Sequence, residues 1–203
     1  VKNIAVLASG SGSNLQAIID AVERGDIRGG RVSLVISDRK GAYALERARQ
    51  KGIPALHFSP GKYSSREEYD RALVTYLERR RTDLVVLAGF MRLLTPYFVL
   101  CYHQRLLNIH PALLPSFPGG HGVEEALAYG VKVTGCTVHF VDEGMDTGII
   151  ILQEAVPVYD DDSKETLHQR IHAVEHRLYP RAIDLVLNNK FTIKGRRCII
   201  RED

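Results

Sequence analysis

Asn108 and His110 put a carboxamide and an imidazole two residues apart, inside the run Arg-Leu-Leu-Asn-Ile-His-Pro-Ala-Leu-Leu-Pro over residues 105–115. If residues 106–109 end a strand, side-chain alternation turns both groups to one face. Pro111 biases His110 toward an extended backbone, and Pro111, Pro115 and Pro118 stiffen the loop that leaves it. Such a pair can donate hydrogen bonds to a carbonyl oxygen that becomes an oxyanion, and the imidazole can also move a proton. The plainer reading is a histidine capping a turn beside an asparagine that satisfies loop backbone.

Two other stretches carry chemistry. Ser-Gly-Ser-Gly-Ser-Asn over residues 9–14 stands between an apolar run and a helical pattern (Leu15, Ile18, Ile19, Val22). Gly10 and Gly12 let backbone N–H groups approach an anion, and Ser13 or Asn14 can cap the helix. Gly-x-Gly-x-x-Leu lacks the third glycine of a dinucleotide fingerprint, and no Gly-Lys-Ser/Thr of a P-loop follows. Asp38 stands where a ribose-binding acid would sit, although an acid after a strand is commonly a turn residue, so a monophosphate is favoured over a dinucleotide. The acidic loop Asp-Glu-Gly-Met-Asp-Thr-Gly over residues 142–148 lacks the ordered ligand spacing of an EF-hand. The alternative is that Asp146 turns toward His110, fixing its tautomer and favouring its charged form.

These groups need strands and helices to hold them. Residues 3–8 read as a strand buried on both faces, 32–36 as a second, 54–58 as a third, and 83–89 as the strongest of all. Helices are expected over 41–51, from a cap at Ser64 or Ser65 with Glu67 and Glu68 in the first turn, from near Pro96, over 121–129, and from Ser163 to about residue 188. Pro180 should kink or break that last helix. Residues 134–141 alternate as a strand, another begins at 149, and residues 191–200 around Gly195 suggest a terminal hairpin. Its Lys194, Arg196 and Arg197 read as a solvated edge. Arg66, in a first helical turn disfavoured for a cation, is either a surface charge or a group held for an anionic ligand. Residues 90–94 either pack under the next helix or form an apolar slot for a flat ligand. His121 and His139 read as packing or hydrogen-bonding residues rather than metal ligands. The alternation of strands and helices predicts a doubly wound, mostly parallel α/β sheet with helices on both faces.

The bulk properties narrow the class. The 203 residues suffice for one domain, or two closely joined halves, with a sizeable core. No apolar run approaches the ~18 residues of a membrane span, and no signal peptide is visible. Cys101, Cys136 and Cys198 are odd in number and widely spaced, which suits reduced thiols in a cytoplasmic protein and no zinc site. A formal net charge of +3 suits a small anionic ligand and falls short of a nucleic-acid footprint. The sequence leaves a homodimer open.

The motifs Gly-Ser-Gly-Ser-Asn-Leu-Gln-Ala-Ile, Leu-Ala-Gly-Phe-Met-Arg, Leu-Leu-Asn-Ile-His-Pro-Ala-Leu-Leu-Pro, Pro-Gly-Gly-His and Val-His-Phe-Val-Asp-Glu-Gly-Met-Asp-Thr-Gly occur in this order. Together they resemble the folate-dependent phosphoribosylglycinamide formyltransferases of purine synthesis, from about residue 3 to residue 180. The resemblance implies one formyltransferase domain, with a phosphate-binding half over residues 1–100 and a catalytic, folate-binding half over 101–203. It implies that Gly12, Ser13 and Asn14 hold the substrate's 5′-phosphate. Glu175, with His172, Ala173 and Val174 beside it, would bind ribose hydroxyls or the amine. Met91, Arg92, Leu93 and Leu94, with Asp142, Glu143, Gly144, Met145 and Asp146, would flank the pterin of 10-formyltetrahydrofolate, and Arg66 would meet the folate's acidic tail or benzoyl region. Asn108, His110 and Asp146 would be catalytic, with Asn108 also touching the folate, a water near Asp146 relaying the amine proton, and no metal taking part. The substrates implied are small molecules, with neither nucleic acid nor membrane as partner. Methionyl-tRNA formyltransferases share the Asn/His/Asp chemistry but carry a further C-terminal domain, and formyltetrahydrofolate hydrolases a further N-terminal one. Neither is expected here. From another class, a nicotinamide-dependent oxidoreductase would use Gly10, Gly12 and Asp38.

Overall fold

A computed structural model describes residues 1–202. Five strands, β1 (Lys2–Leu7), β2 (Gly30–Ser37), β3 (Ala55–His57), β4 (Leu84–Leu87) and β5 (Leu106–His110), pair in parallel. β6 (Val133–Phe140) and β7 (Ile150–Pro157) extend the sheet antiparallel beyond β5. The order is β3-β2-β1-β4-β5-β6-β7. The chain winds outward from β1 in both directions, so the carboxyl ends of β1 and β4 flank the switch point where open sheets form a crevice, and β5 is next to it.

Alternation along each strand builds two cores. Ile4, Val6, Val35, Leu84, Val86, Leu107 and Ile109 pack on one face under α1 (Ser13–Arg24), α2 (Tyr43–Gln50), α5 (Gly122–Tyr129) and α6 (Lys164–Leu187). Ala5, Leu7, Leu34, Ile36, Val85, Leu87 and Leu106 pack on the other under α3 (Arg66–Arg79) and α4 (Pro96–Cys101). Each fully buried Leu, Ile or Val contributes roughly 1.5–3 kcal/mol, so the central strands are the rigid platform of the site. Asn108 and His110 share a face with Leu106, as the spacing requires, and reach beyond the cover of α4.

Helix starts match their signals. Ser65 Oγ accepts the Glu68 N–H at 3.1 Å, and Ser163 with Thr166 forms a capping box. Pro180 does not break α6, which continues to Leu187. The helix is held there by packing: Leu178, Tyr179, Pro180, Ala182 and Ile183 are all buried, and tertiary contact outweighs the missing N–H. Tyr179 also sends its hydroxyl to the carbonyl oxygens of Leu87 (2.6 Å) and Leu107 (3.1 Å), joining β4 to β5.

The terminal hairpin forms as β8 (Phe191–Lys194) and β9 (Arg197–Ile200). It is more than a solvated edge. Phe191 packs on Phe140 with ring centroids 5.4 Å apart, and Arg196 at the turn donates to the carbonyls of Thr147 (2.8 Å) and Gly148 (3.3 Å). Among the described residues no helix is long and apolar enough to cross a membrane.

Candidate active site

β5 delivers Asn108 half-buried and His110 buried at its carboxyl end. The His110 Nε2 lies 2.6 Å from the Phe117 carbonyl oxygen, and its Nδ1 lies 3.5 Å from Asp146 Oδ2. A carbonyl only accepts, so Nε2 carries a proton. A neutral ring would then turn a bare Nδ1 lone pair to a carboxylate, whereas a charged ring offers it an N–H. At 3.5 Å the Asp146 carboxylate lies within ion-pair reach of Nδ1. The Asn108 carboxamide makes no hydrogen bond within the described residues and faces the cavity.

Asp146 is brought in by the loop over residues 142–148, which folds back over the sheet after β6. Asp142 Oδ1 closes that loop by accepting from Gly144 N (3.0 Å) and Thr147 Oγ1 (2.6 Å). Asp146 has φ +55°, a conformation that Asp tolerates better than most side chains, and its Oδ2 accepts the Gly119 N–H at 2.7 Å. One carboxylate thus ties the loop after β5 to the loop after β6. A second imidazole joins it. His139, paired with Asn108 across β5 and β6, places Nε2 3.7 Å from Asp146 Oδ1 while its Nδ1 sits 2.9 Å from the Phe140 carbonyl oxygen. Burial pushes His139 below its ordinary range, so it stays neutral at pH 7.

The other end of the same cavity is built by the turn after β1. Gly12 has φ +75°, and a Cβ there would come within 2.8 Å of Ala44 Cα and Cβ, so only glycine lets α2 press against the turn. α1 starts beyond it without a side-chain cap or an acid in its first turn, leaving N–H groups directed at the cavity. Asn14 instead uses its amide to donate to Glu175 Oε2 at 2.9 Å. Burial pushes the Glu175 carboxyl from 4.5 to about 7, opposed by that hydrogen bond. His172 beside it is pushed down to about 4 by burial and by the neighbouring imidazoles of His168 and His176.

The loop after β4 forms the third wall. Ser9 Oγ accepts the Met91 N–H (2.9 Å) and donates to Asp38 Oδ1 (2.6 Å), so Asp38 is a support for this loop rather than a free ribose-binding acid. α3 fixes the loop's far end. Asp70 Oδ2 accepts from Thr95 N and Oγ1, both at 2.7 Å, and the Arg92 guanidinium lies 4.5 Å from the Tyr69 ring centroid. Arg66 donates to the Leu93 carbonyl at 2.7 Å. Met91 and Leu93 remain 66% and 52% exposed and Met145 opposite them 58%, an apolar mouth suited to a flat ring.

A cavity of about 720 Å³ connects all three walls. Of the residues singled out from the sequence, Gly12, Ser13, Asn14, Met91, Arg92, Leu93, Leu94, Asn108, His110, Gly144, Met145, Asp146, His172 and Glu175 line it. Five do not. Arg66 is taken by Leu93, Asp142 and Glu143 lie outside the lining, Ala173 is exposed, and Val174 is buried in the core under α6. Arg39, Lys164, His139 and His168 line the cavity and were not singled out as site residues. Of these, His139 had a readable signal: alternation in 134–141 and pairing with β5 put it beside Asn108. Among the described residues no group of three or more His, Cys, Asp or Glu side chains is arranged to hold a metal ion.

Asn108, the aspartate-linked His110 and the glycine turn before α1 share one cavity on a doubly wound sheet, and the comparisons with known proteins give the family to which this layout belongs. The formyl transferase family's profile matches residues 2–183, and the chain belongs to that family. Within it, the chain is 49% identical over 181 residues to the phosphoribosylglycinamide formyltransferase of Escherichia coli, covering 89% of this chain and 85% of that protein. It is 52% identical over 189 residues to the trifunctional purine biosynthetic protein adenosine-3 of Drosophila melanogaster; that match covers 92% of this chain but only 14% of the relative, so the chain spans about a seventh of such proteins. The crystal structure of glycinamide ribonucleotide transformylase 1 from Symbiobacterium toebii superposes with TM-score 0.97 at 52% identity, covering 100% of this chain and 95% of that one.

Proposed function

We propose that this chain transfers the formyl group of 10-formyltetrahydrofolate to the amine of glycinamide ribonucleotide, a step of purine biosynthesis. The observation that carries the reading is the convergence of Asn108, His110 and Asp146 on a cavity that also reaches the glycine turn before α1. Gly12, Ser13 and Asn14 offer backbone N–H groups to the phosphate, and Glu175 is placed for the ribose hydroxyls or the amine. The half over residues 1–100 supplies the phosphate cradle, and the half over 101–203 supplies the donors. The loops holding Met91–Leu94 and Gly144–Asp146 flank the pterin.

The substrate amine attacks the formyl carbon, forming the new C–N bond and placing negative charge on the formyl oxygen. Asn108 and the His110 imidazolium donate to that oxygen, and Asp146 keeps the ring charged. Such oriented donors contribute roughly 3–4 kcal/mol each where one can be removed cleanly. The bond to the folate nitrogen then breaks, and the proton lost by the amine goes to that nitrogen, relayed by a water near Asp146. The formyl donor is already activated, so the two donors suffice.

Incubating the protein with glycinamide ribonucleotide and 10-formyltetrahydrofolate, with mass spectrometry of the products, tests the reading. Formylated ribonucleotide and free tetrahydrofolate are expected in equal amounts. Hydrolysis of the donor without transfer, or tight binding of NADH in a fluorescence titration, would overturn it.

A further inference from the structure

The terminal hairpin lies beyond residue 183, where the family match ends, yet its turn is bonded to the loop that carries Asp146. Gly195 has φ +59° and Arg196 does not share the left-handed region, the pattern of a two-residue II′ turn that leaves the Arg196 side chain free to reach outward. Its guanidinium donates to the Thr147 carbonyl at 2.8 Å and the Gly148 carbonyl at 3.3 Å, one and two residues past Asp146.

Besides this grip, that end of the loop is tied at two points: Asp146 Oδ2 accepts the Gly119 N–H at 2.7 Å, and the Ile149 carbonyl accepts the Phe140 N–H at 2.9 Å, which leaves the Thr147 and Gly148 carbonyls to Arg196. Asp142 ties residues 142, 144 and 147 together within the loop but not to the body of the protein. Gly148 is pressed so close to β6 that a Cβ would sit 1.6 Å from the Phe140 carbonyl oxygen, so the chain must pass through a narrow gap there. The hairpin itself is anchored. Phe191, Ile193, Cys198 and Ile200 pack against the main core, and Arg201 donates to the carbonyls of Asn189 and Phe191. A fixed cation therefore grips the two carbonyls that follow a carboxylate whose direction decides what His110 touches.

We propose that the hairpin is a brace for the catalytic loop and that Arg196 is a positioning residue, setting Asp146 against His110 by holding the Thr147 and Gly148 carbonyls. The proposal rests on the formyl-transfer reading for its effect on turnover but not for its effect on the loop.

The test uses the full chain and three variants. Arg196→Ala removes the grip, Arg196→Lys keeps a donor, and Arg197→Ala removes the same charge from a neighbouring position with no bond to the loop. Hydrogen–deuterium exchange over residues 143–148 is expected to quicken in Arg196→Ala, while Arg197→Ala matches wild type. In steady-state assays, Arg196→Ala should lower kcat by up to about 10²-fold, the scale on which a misplacement of about 1 Å acts, with the KM for glycinamide ribonucleotide unchanged. Arg196→Lys should recover much of the loss. Unaltered exchange in Arg196→Ala, or equal effects of the alanine variants at 196 and 197, would overturn the proposal. If wild-type protein transfers no formyl group, the functional reading fails, while the exchange comparison still decides the brace.

Discussion

The His110 Nε2 is bonded to the Phe117 carbonyl oxygen at 2.6 Å, so the proton an oxyanion would need is already engaged by the loop after β5. A formyl oxygen that takes this proton must displace Phe117, whose φ of +50° marks a backbone held in an unusual conformation. A crystal structure with a folate analogue bearing a carbonyl at the formyl position is expected to show Nε2 turned to the ligand and the Phe117 carbonyl withdrawn. Nε2 still bonded to Phe117 in such a complex would leave oxyanion stabilisation to Asn108.

Asp146→Asn keeps the size of the side chain and a residue that tolerates positive φ, but removes the charge facing both imidazoles. Turnover should fall by about 10²-fold or more, the scale of general acid–base contributions, with the thermal midpoint close to wild type. Near-normal turnover in the folded variant would remove Asp146 from the mechanism.

Asn108→Ala takes away a carboxamide that makes no hydrogen bond among the described residues, so stability should scarcely change. A true oxyanion donor costs on the order of 10²–10³ in kcat when removed. Steady-state kinetics separate the cases: a change confined to KM would make Asn108 a ground-state binding group.

Glu175 gives stability a pH dependence. Its folded pKa of about 7 exceeds the ordinary 4.5, so between those values the folded state holds a proton that the unfolded state has lost. Stability from this group is therefore fully present below about pH 4.5 and falls as pH rises toward 7, by about 3 kcal/mol across the window. Glu175→Gln keeps an acceptor for Asn14 and removes the titration. Urea unfolding at pH 5 and pH 8 should show the variant gaining on wild type at the higher pH, and a gain equal at both would contradict the assignment.

Gly12→Ala should damage both fold and site. The left-handed backbone and a Cβ 2.8 Å from Ala44 force α2 away from the turn, at a cost of about 1–3 kcal/mol. Calorimetry of the variant should show a lowered midpoint, and titration with glycinamide ribonucleotide a weakened affinity. An unchanged affinity would mean that the anion does not sit at this turn.

Period and punctuation made most of this architecture readable. β1, β2, β4 and β5 are apolar runs closed by Gly, Asp or Pro, and Ser65, Ser163 and Gly130 mark helix ends where local hydrogen bonding demands them. The pairing of Asn108 with His110 followed from a period of two. The long last helix ends where its period ends, and Pro180 does not break it because its neighbours are buried deeply enough to carry the helix past it. The supports of the site were not readable, since they join residues far apart in the chain: Asp70 with Thr95, Ser9 with Asp38 and Met91, Arg196 with Thr147. Each is a polar residue of ordinary type whose partner is chosen by topology alone. Arg66 shows the same gap, because its cationic position at a helix start is explained by a carbonyl on another loop.

The Tyr179 hydroxyl shared between Leu87 and Leu107 has a mechanical consequence. It bridges β4 and β5, the strands that carry Met91's loop and Asn108, and so adds a buried side chain of α6 to the ladder that already pairs them. The floor of the cavity is thereby fastened from below by a helix as well as edge to edge within the sheet.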